Sequence, residues 1–316
     1  MNDMDPKLAA SAGIAGASGT PDIVEPPPPR AIPALKRFFS SPTAALGTIG
    51  LLIICLVALL APWLATQNPY DLTQLDILDS RLPPGSENFD GIPYYLGTDG
   101  QGRDILSGIM YGLRTSLLVG IASAVVAALL GTTIGLLAAY VGGRLESFIM
   151  RLVDLQLSFP TILMALMVLA ILGNGVTNVV FAIIVAEWAT YARTARGTAL
   201  VEREKEYIEA ARCLRIPGRR VLLRYLLPNC IAPIIVIATM QVARAIGLEA
   251  TLSFLGLGAS VTQPSLGMLI SNGYRFMLSG LYWISFYPGI ALLITIVSIN
   301  LVGDRLRDVL NPRKTR

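Results

Sequence analysis

The chain has 316 residues, of which 53% are hydrophobic and only 15% charged, with a net charge of +4 and a mean hydropathy of +0.61. Soluble domains carry about 25% charged residues, so this composition excludes an ordinary soluble protein and puts the membrane class first. There is no histidine, and Cys55, Cys213 and Cys230 are widely spaced, which excludes His-based triads, histidine relays, clustered metal ligands and a disulfide framework.

Residues 1–43 lack the apolar core of a signal peptide and contain Pro26-Pro27-Pro28-Pro29. They read as a disordered cytoplasmic tail that buries too little apolar area to fold. The first run of about 20 apolar residues, the length a membrane crossing needs, is 44–66. A polar, turn-rich segment, 67–114, follows and includes Leu96-Gly97-Thr98-Asp99-Gly100-Gln101-Gly102-Arg103-Asp104. Asp99, Arg103 and Asp104 are close enough in sequence to satisfy one another and the glycine turns. The segment is therefore expected to be an ordered outer-face element; the competing reading is a solvated charged loop.

The second span is expected over 116–140. Its Gly131 and Gly135 have the GxxxG spacing that lets helices approach closely, or are simply two small residues in a span. The third, 145–172, carries Pro160 in its middle and Arg151 and Asp154 near its start. The fourth, 176–196, holds an acid, Glu187, just before Trp188. The fifth, 230–258, includes Arg244 and Glu249, and the sixth covers 287–302. Charges facing hydrocarbon are costly, so Glu187, Arg244 and Glu249 are expected to face the bundle interior or a translocation path. For Glu187, an acid reaching an ordinary polar partner fits equally well.

Six crossings put both termini on one side. That side holds twenty Lys and Arg residues and the opposite side four, so the positive-inside rule makes the termini and the 197–229 loop cytoplasmic and the 67–114 segment periplasmic. No lysine follows a glycine anywhere, so no Walker A phosphate loop exists in this chain. If ATP drives it, another chain binds the nucleotide. The basic residues are explained by membrane lipid surfaces and do not argue for nucleic acid.

The most informative polar stretch is Glu206-Tyr207-Ile208-Glu209-Ala210-Ala211-Arg212, followed by Leu227-Pro228-Asn229. Residues 198–214 are fair to good helix formers. Ala210 and Ala211 remove bulk at one point, and a helix notched in this way fits a partner's groove, with Tyr207 as an anchor. On composition alone, an interfacial loop with positive-inside arginines is an equal alternative.

Glu209-Ala210-Ala211 with Leu227-Pro228 resembles the "EAA" coupling loop of type I ABC importer permeases. The 96–104 segment, Gly112-Leu113-Arg114-Thr115-Ser116-Leu117, Phe159-Pro160, Tyr191-Ala192-Arg193, Glu249-Ala250, Leu252-Ser253-Phe254-Leu255-Gly256-Leu257-Gly258 and Gly303-Asp304-Arg305 resemble, in order, the C-type permease subunit of dipeptide and oligopeptide importers (DppC/OppC-like). The resemblance runs from about residue 37 to residue 312, and the permease core it implies spans 115–312, before a short tail at 313–316.

It implies an all-α polytopic fold of six transmembrane helices in a bacterial inner membrane. It also implies a B-type permease partner, two ABC ATPase subunits that bind ATP and Mg, and a periplasmic solute-binding protein. There would be no catalytic residue, metal or cofactor in this chain. The implied coupling residues are Tyr207, Glu209, Ala210, Ala211, Arg212, Arg215, Pro217, Gly218, Leu227 and Pro228, and the implied periplasmic signature is Gly97, Thr98, Asp99, Gly102, Arg103 and Asp104. Short peptides are the implied cargo; nickel chelates, glutathione, opines and oligosaccharides are carried by similar systems. An ATP-independent carrier is the competing class, and it leaves the polar loop unexplained. In this family a glycine usually stands where this chain has Arg215. The expectation is that the turn moves to Pro217-Gly218, because arginine adopts a left-handed backbone only at a cost.

Overall fold

A computed structural model describes residues 38–69, 71, 73, 75–88, 91–258 and 263–310. Most of the expected N-terminal tail and all of residues 311–316 lie outside the described residues.

Nine helices carry the described architecture. Helix α1, Pro42–Leu64, starts with a proline in its first turn, where no backbone N–H partner is lost. A short connecting segment follows, with a 3-10 turn at Ile77–Asp79 and a two-stranded antiparallel ribbon, β1 Ser86–Glu87 against β2 Pro93–Tyr94. Helix α2, Ile105–Val141, is 37 residues long. At 1.5 Å per residue it extends about 55 Å, well beyond the ~30 Å hydrocarbon layer. It begins eleven residues before the expected second span, inside the polar segment, because Asp104 caps it there.

Residues 145–172 do not form one straight crossing. Helix α3, Gly143–Ser158, and helix α4, Thr161–Leu172, meet at a 95° bend. The residue before a proline is pushed out of the helical region. Phe159 accordingly sits at φ −90°, ψ 142°, and Pro160 starts the new helix. Helix α3 lies along α5, Val176–Arg203, held by the ion pairs Arg193–Asp154 and Arg196–Glu146 and by Val153 packed on Ala189 and Ala192. Two of the arginines that set the expected orientation are therefore paired with acids of α3.

Helix α6 is Glu206–Cys213 and α7 is Gly218–Phe254. Within α7, Val221–Leu226 widens into a π-turn, and Leu227 N–H donates five residues back to Leu222 O. Pro228 has no N–H and its ring crowds the carbonyl four residues before it, so the widened turn just ahead of it removes that conflict. Helices α8, Leu266–Tyr274, and α9, Trp283–Leu310, complete the bundle.

Among the described residues, α1, α2, α7 and α9 are long and apolar enough to cross a membrane, and the bent α3–α4 pair makes a fifth crossing if it is one span. Helix α5 is 28 residues long but is interrupted by Glu187, Arg193, Arg196 and Arg203.

The GxxxG pair is a helix contact. A Cβ on Gly131 would meet Trp188 O and come within 2.6 Å of Tyr191 Cβ, and one on Gly135 would meet Ala192 O and lie 3.0 Å from Ala195 Cβ. The backbones of α2 and α5 therefore touch at small residues, which is how helices associate where lipid removes the hydrophobic drive. Two apolar clusters flank this contact. One joins α1, α2, α7, α8 and α9 around Ile109, Leu113, Ile246 and Ile284. The other joins α2, α4, α5 and α7 around Val119, Leu169, Ile183 and Leu252.

Candidate functional site

Three polar regions stand out on this scaffold. The element around residues 97–104 is closed on itself. The Asp104 carboxylate accepts from Leu106 N (3.2 Å) and Ser107 N (3.0 Å), capping α2, and from Thr66 Oγ1 (3.0 Å) at the end of α1. Asp104 N–H donates to Gln67 Oε1 at 2.8 Å, so one residue fastens the end of α1 to the start of α2. Asp99 Oδ1 accepts from Gln101 N and Arg103 N, and Asp99 N–H donates to Arg103 O. Thr98 Oγ1 accepts from Leu82 N, and Tyr94 donates its hydroxyl to Asp79.

Thr98, Asp99, Arg103 and Asp104 are all buried, Arg103 to 1% exposure. Burial pushes the Asp99 carboxyl up, partly countered by the backbone N–H groups of Arg103 and Gln101. Gly97 and Gly102 both have positive φ, and a Cβ on Gly102 would collide with Asp76 O. Asp99 meets Arg103 through the Arg103 backbone N–H and C=O, whereas Asp104 turns instead to Thr66, Gln67 and Ser107.

The elbow around residues 204–220 is open. The expected helix over 198–214 is in fact two: α5 ends at Arg203, and α6 starts at Glu206 after a break at Glu204–Lys205. Glu206, Glu209 and Ala210 face solvent. Ala211 does not share their face; it is buried with Ile208 and Val221, against Tyr140 and Tyr225. Tyr207 also turns inward, donating to Glu202 Oε2 (2.7 Å) and accepting from Asn229 Nδ2 (3.1 Å). Burial and the Glu202 hydrogen bond push the Tyr207 phenol up to about 12. Burial alone would raise the Glu202 carboxyl, but hydrogen bonds from Lys205 and Tyr207 outweigh it, and the net shift is downward. The Arg212 side chain lies outside the described residues.

The turn does not move to Pro217-Gly218. Arg215 itself takes φ 52°, and Gly218 is an ordinary helical residue. Ile216 N–H donates to Ala211 O and Leu214 N–H to Ala210 O, so the last carbonyls of α6 are satisfied around a left-handed Arg215, as in a Schellman-type ending. The left-handed conformation costs roughly 1 to 2 kcal/mol for an L-residue, and these hydrogen bonds hold it. Pro217 then starts α7 by accepting from Arg220 N and Val221 N. Leu227 packs on the cluster of Leu226 and Cys230, and Pro228 is exposed.

The third region is a cleft of about 380 Å³ between α4, α5 and α7. Glu187 and Arg244 line it together with Thr161, Thr190 and Gln241. Glu249 is not part of it. It is 2% exposed, accepting from Ser116 Oγ (2.8 Å) and Ser253 Oγ (2.7 Å) in a closed link between α2 and α7. Spacing alone could not separate the two acids, because only the packing of α2 supplies Ser116.

The fold is that of a membrane transport permease. A family model described as "Binding-protein-dependent transport system inner membrane component" matches residues 131–316, and one described as "N-terminal TM domain of oligopeptide transport permease C" matches residues 33–84. The chain belongs to this family of inner membrane transport components, in its C-type permease branch. It is 38% identical over 293 residues to a putative peptide transport system permease protein of Brucella suis, covering 93% of this chain and 94% of the relative. It is 37% identical over 270 residues to the dipeptide transport system permease protein DppC of Haemophilus influenzae, covering 85% and 90%. The glutathione transport system permease protein GsiD of Pectobacterium atrosepticum is 38% identical over 278 residues, covering 88% and 89%. Among solved structures, a chain of the MetNI methionine ABC transporter in an inward-facing conformation superposes with a TM-score of 0.53 at 21% identity, covering 64% of this chain and 96% of that one.

Proposed function

We propose that this chain is one half of the translocation pathway of an ATP-driven importer of short peptides. It would pair with a B-type permease and receive cargo from a periplasmic binding protein. Two ATPase subunits, which bind ATP and Mg, would drive it. In this reading it crosses the membrane six times, counting the bent α3–α4 pair and α5, with both termini cytoplasmic. The relatives named for dipeptide and peptide transport support the cargo class.

The observation that carries the coupling role is the two-sidedness of α6. Its outer face offers Glu206, Glu209 and Ala210. Its inner face seats Ile208 and Ala211 on Tyr140 at the end of α2 and on Val221 at the start of α7. Arg203 Nη1 also donates to Ala139 O at 2.6 Å. A displacement of α6 by a docked ATPase is thereby passed to two membrane helices, which is what switching between inward-open and outward-open packings requires. Arg215, Pro217, Leu227 and Pro228 set the angle of the lever.

The test is ATPase pull-down and ATP-driven dipeptide uptake with Glu209→Lys and Ala210→Trp. Loss of ATPase association or of uptake is expected. Wild-type assembly and uptake with both changes would overturn the coupling role. Orientation is tested by labelling a cysteine placed at exposed Glu87 and one at exposed Arg219, with Cys55, Cys213 and Cys230 replaced. Only the first should react from outside intact cells.

A further inference from the structure

The cleft between α4, α5 and α7 contains two charged side chains of opposite sign that no ion pair joins among the described residues. Glu187 is 4% exposed, and its Oε2 is buried with no hydrogen-bond partner. A buried carboxylate oxygen without a donor is costly, and natural proteins rarely keep one without a use. Arg244, on α7, is exposed and lines the same cleft. The N-terminal end of α4 opens at Thr161 on the same cleft, adding the partial positive charge of a helix start to its wall. Thr190 and Gln241 add neutral hydrogen-bonding groups to the lining. The volume of about 380 Å³ falls within the roughly 300–1,000 Å³ of small-molecule pockets.

We propose that this cleft contacts the solute in transit and selects a zwitterion. The solute's ammonium donates to Glu187, and its carboxylate accepts from Arg244 and the first turn of α4. The inference rests on the importer reading above and adds to it the chemistry that this half of the pathway recognises. Glu249, whose oxygens are held by Ser116 and Ser253, takes no part.

The experiment uses the complete permease–ATPase complex in nanodiscs, without binding protein or ATP. Equilibrium binding of radiolabelled Ala-Ala is measured, with N-acetyl-Ala-Ala and Ala-Ala-amide as competitors. The wild type is expected to prefer the free dipeptide over each capped form by about ten- to a hundredfold, the worth of a charge-assisted hydrogen bond. Glu187→Gln should abolish the preference over the N-acetyl form, and Arg244→Gln the preference over the amide. Glu187→Asp and Arg244→Lys should each restore part of it.

Equal binding of free and capped peptides by the wild type, or unchanged preferences in both Gln variants, overturns the proposal. So does a Glu187→Gln change that only weakens assembly with the second permease. Dipeptide uptake by the complete importer, assayed in parallel, separates the two levels. Uptake without selective binding sinks this inference alone. Failure of the wild-type importer to take up any dipeptide sinks the peptide reading itself.

Discussion

The element around residues 97–104 and the elbow around residues 204–220 are both polar connections between membrane helices, yet they use their polar groups in opposite ways. Around residues 97–104 the charged side chains Asp99, Arg103 and Asp104 are buried, and the carboxylates are engaged within the chain. Around residues 204–220, Glu204, Glu206, Glu209, Arg215 and Arg219 stand exposed, above a small buried patch of Ile208, Ala211 and Val221. A closed network spends its hydrogen bonds on rigidity and leaves nothing for a partner. An open charged surface on a seated helix contributes little to its own fold, because exposed charges add under about 1 kcal/mol, and it remains available for docking. Similar sequence polarity thus divides into a fastening and a handle.

The largest expected effect breaks the fastening. Asp104→Ala removes the α2 cap and leaves Thr66 and the Ser107 N–H without their acceptor. It should lower stability by about 2 to 4 kcal/mol, combining the loss of a cap with the unsatisfied buried donors of Ser107. Asp104→Asn should recover about half. Thermal unfolding of the purified complex is the measurement, and an unchanged midpoint for Asp104→Ala would mean that the 97–104 element is not what holds α1 to α2.

On the handle, Glu209→Lys should leave thermal stability within about 0.5 kcal/mol of wild type, as for an exposed site. The same change should weaken ATPase binding roughly tenfold. A stability loss comparable to that of Asp104→Ala would erase the contrast between the two regions.

Arg215 gives a finer test. Arg215→Gly should stabilise by at most about 0.5 to 1 kcal/mol, since relief at φ 52° is partly offset by glycine's greater freedom when unfolded. Arg215→Val, β-branched in the same backbone, should destabilise by about 1 kcal/mol or more. Equal stability of the two variants would place the turn elsewhere.

The smallest effect is one of pH. The Glu202 carboxyl lies below its ordinary value of 4.5 in the folded chain, so its contribution is present above about pH 4.5 and fades as pH falls through the depressed value. Hydrogen exchange of the α6 amides should therefore quicken only in acid, after correction for intrinsic rates. The Asp99–Asp104 turn should stay protected by comparison. Glu202→Gln should remove the acid dependence.

The sequence alone determined the class. Long apolar runs separated by lopsided basic loops are a consequence of the membrane, which allows only self-satisfied helices to cross. Asp104 and Ser107 are local cap chemistry, as is the proline that splits 145–172, although the angle of that split depends on what α3 packs against. What tertiary structure decided lies in contacts between residues far apart in the chain. Ser116 claims Glu249 across 133 residues, and no nearby spacing announces it. Tyr140 and Val221 turn Ala211 inward and so divide two adjacent alanines between core and surface. Arg215 stays left-handed because Ala211 and Ala210 carbonyls accept from the residues on either side of it, so its neighbours' hydrogen bonds override its own preference. Glu187 and Arg244, 57 positions apart in the chain, share a cleft only because α5 and α7 pack side by side. Local preference is encoded residue by residue, whereas the partner of a buried charge is settled only when the helices meet.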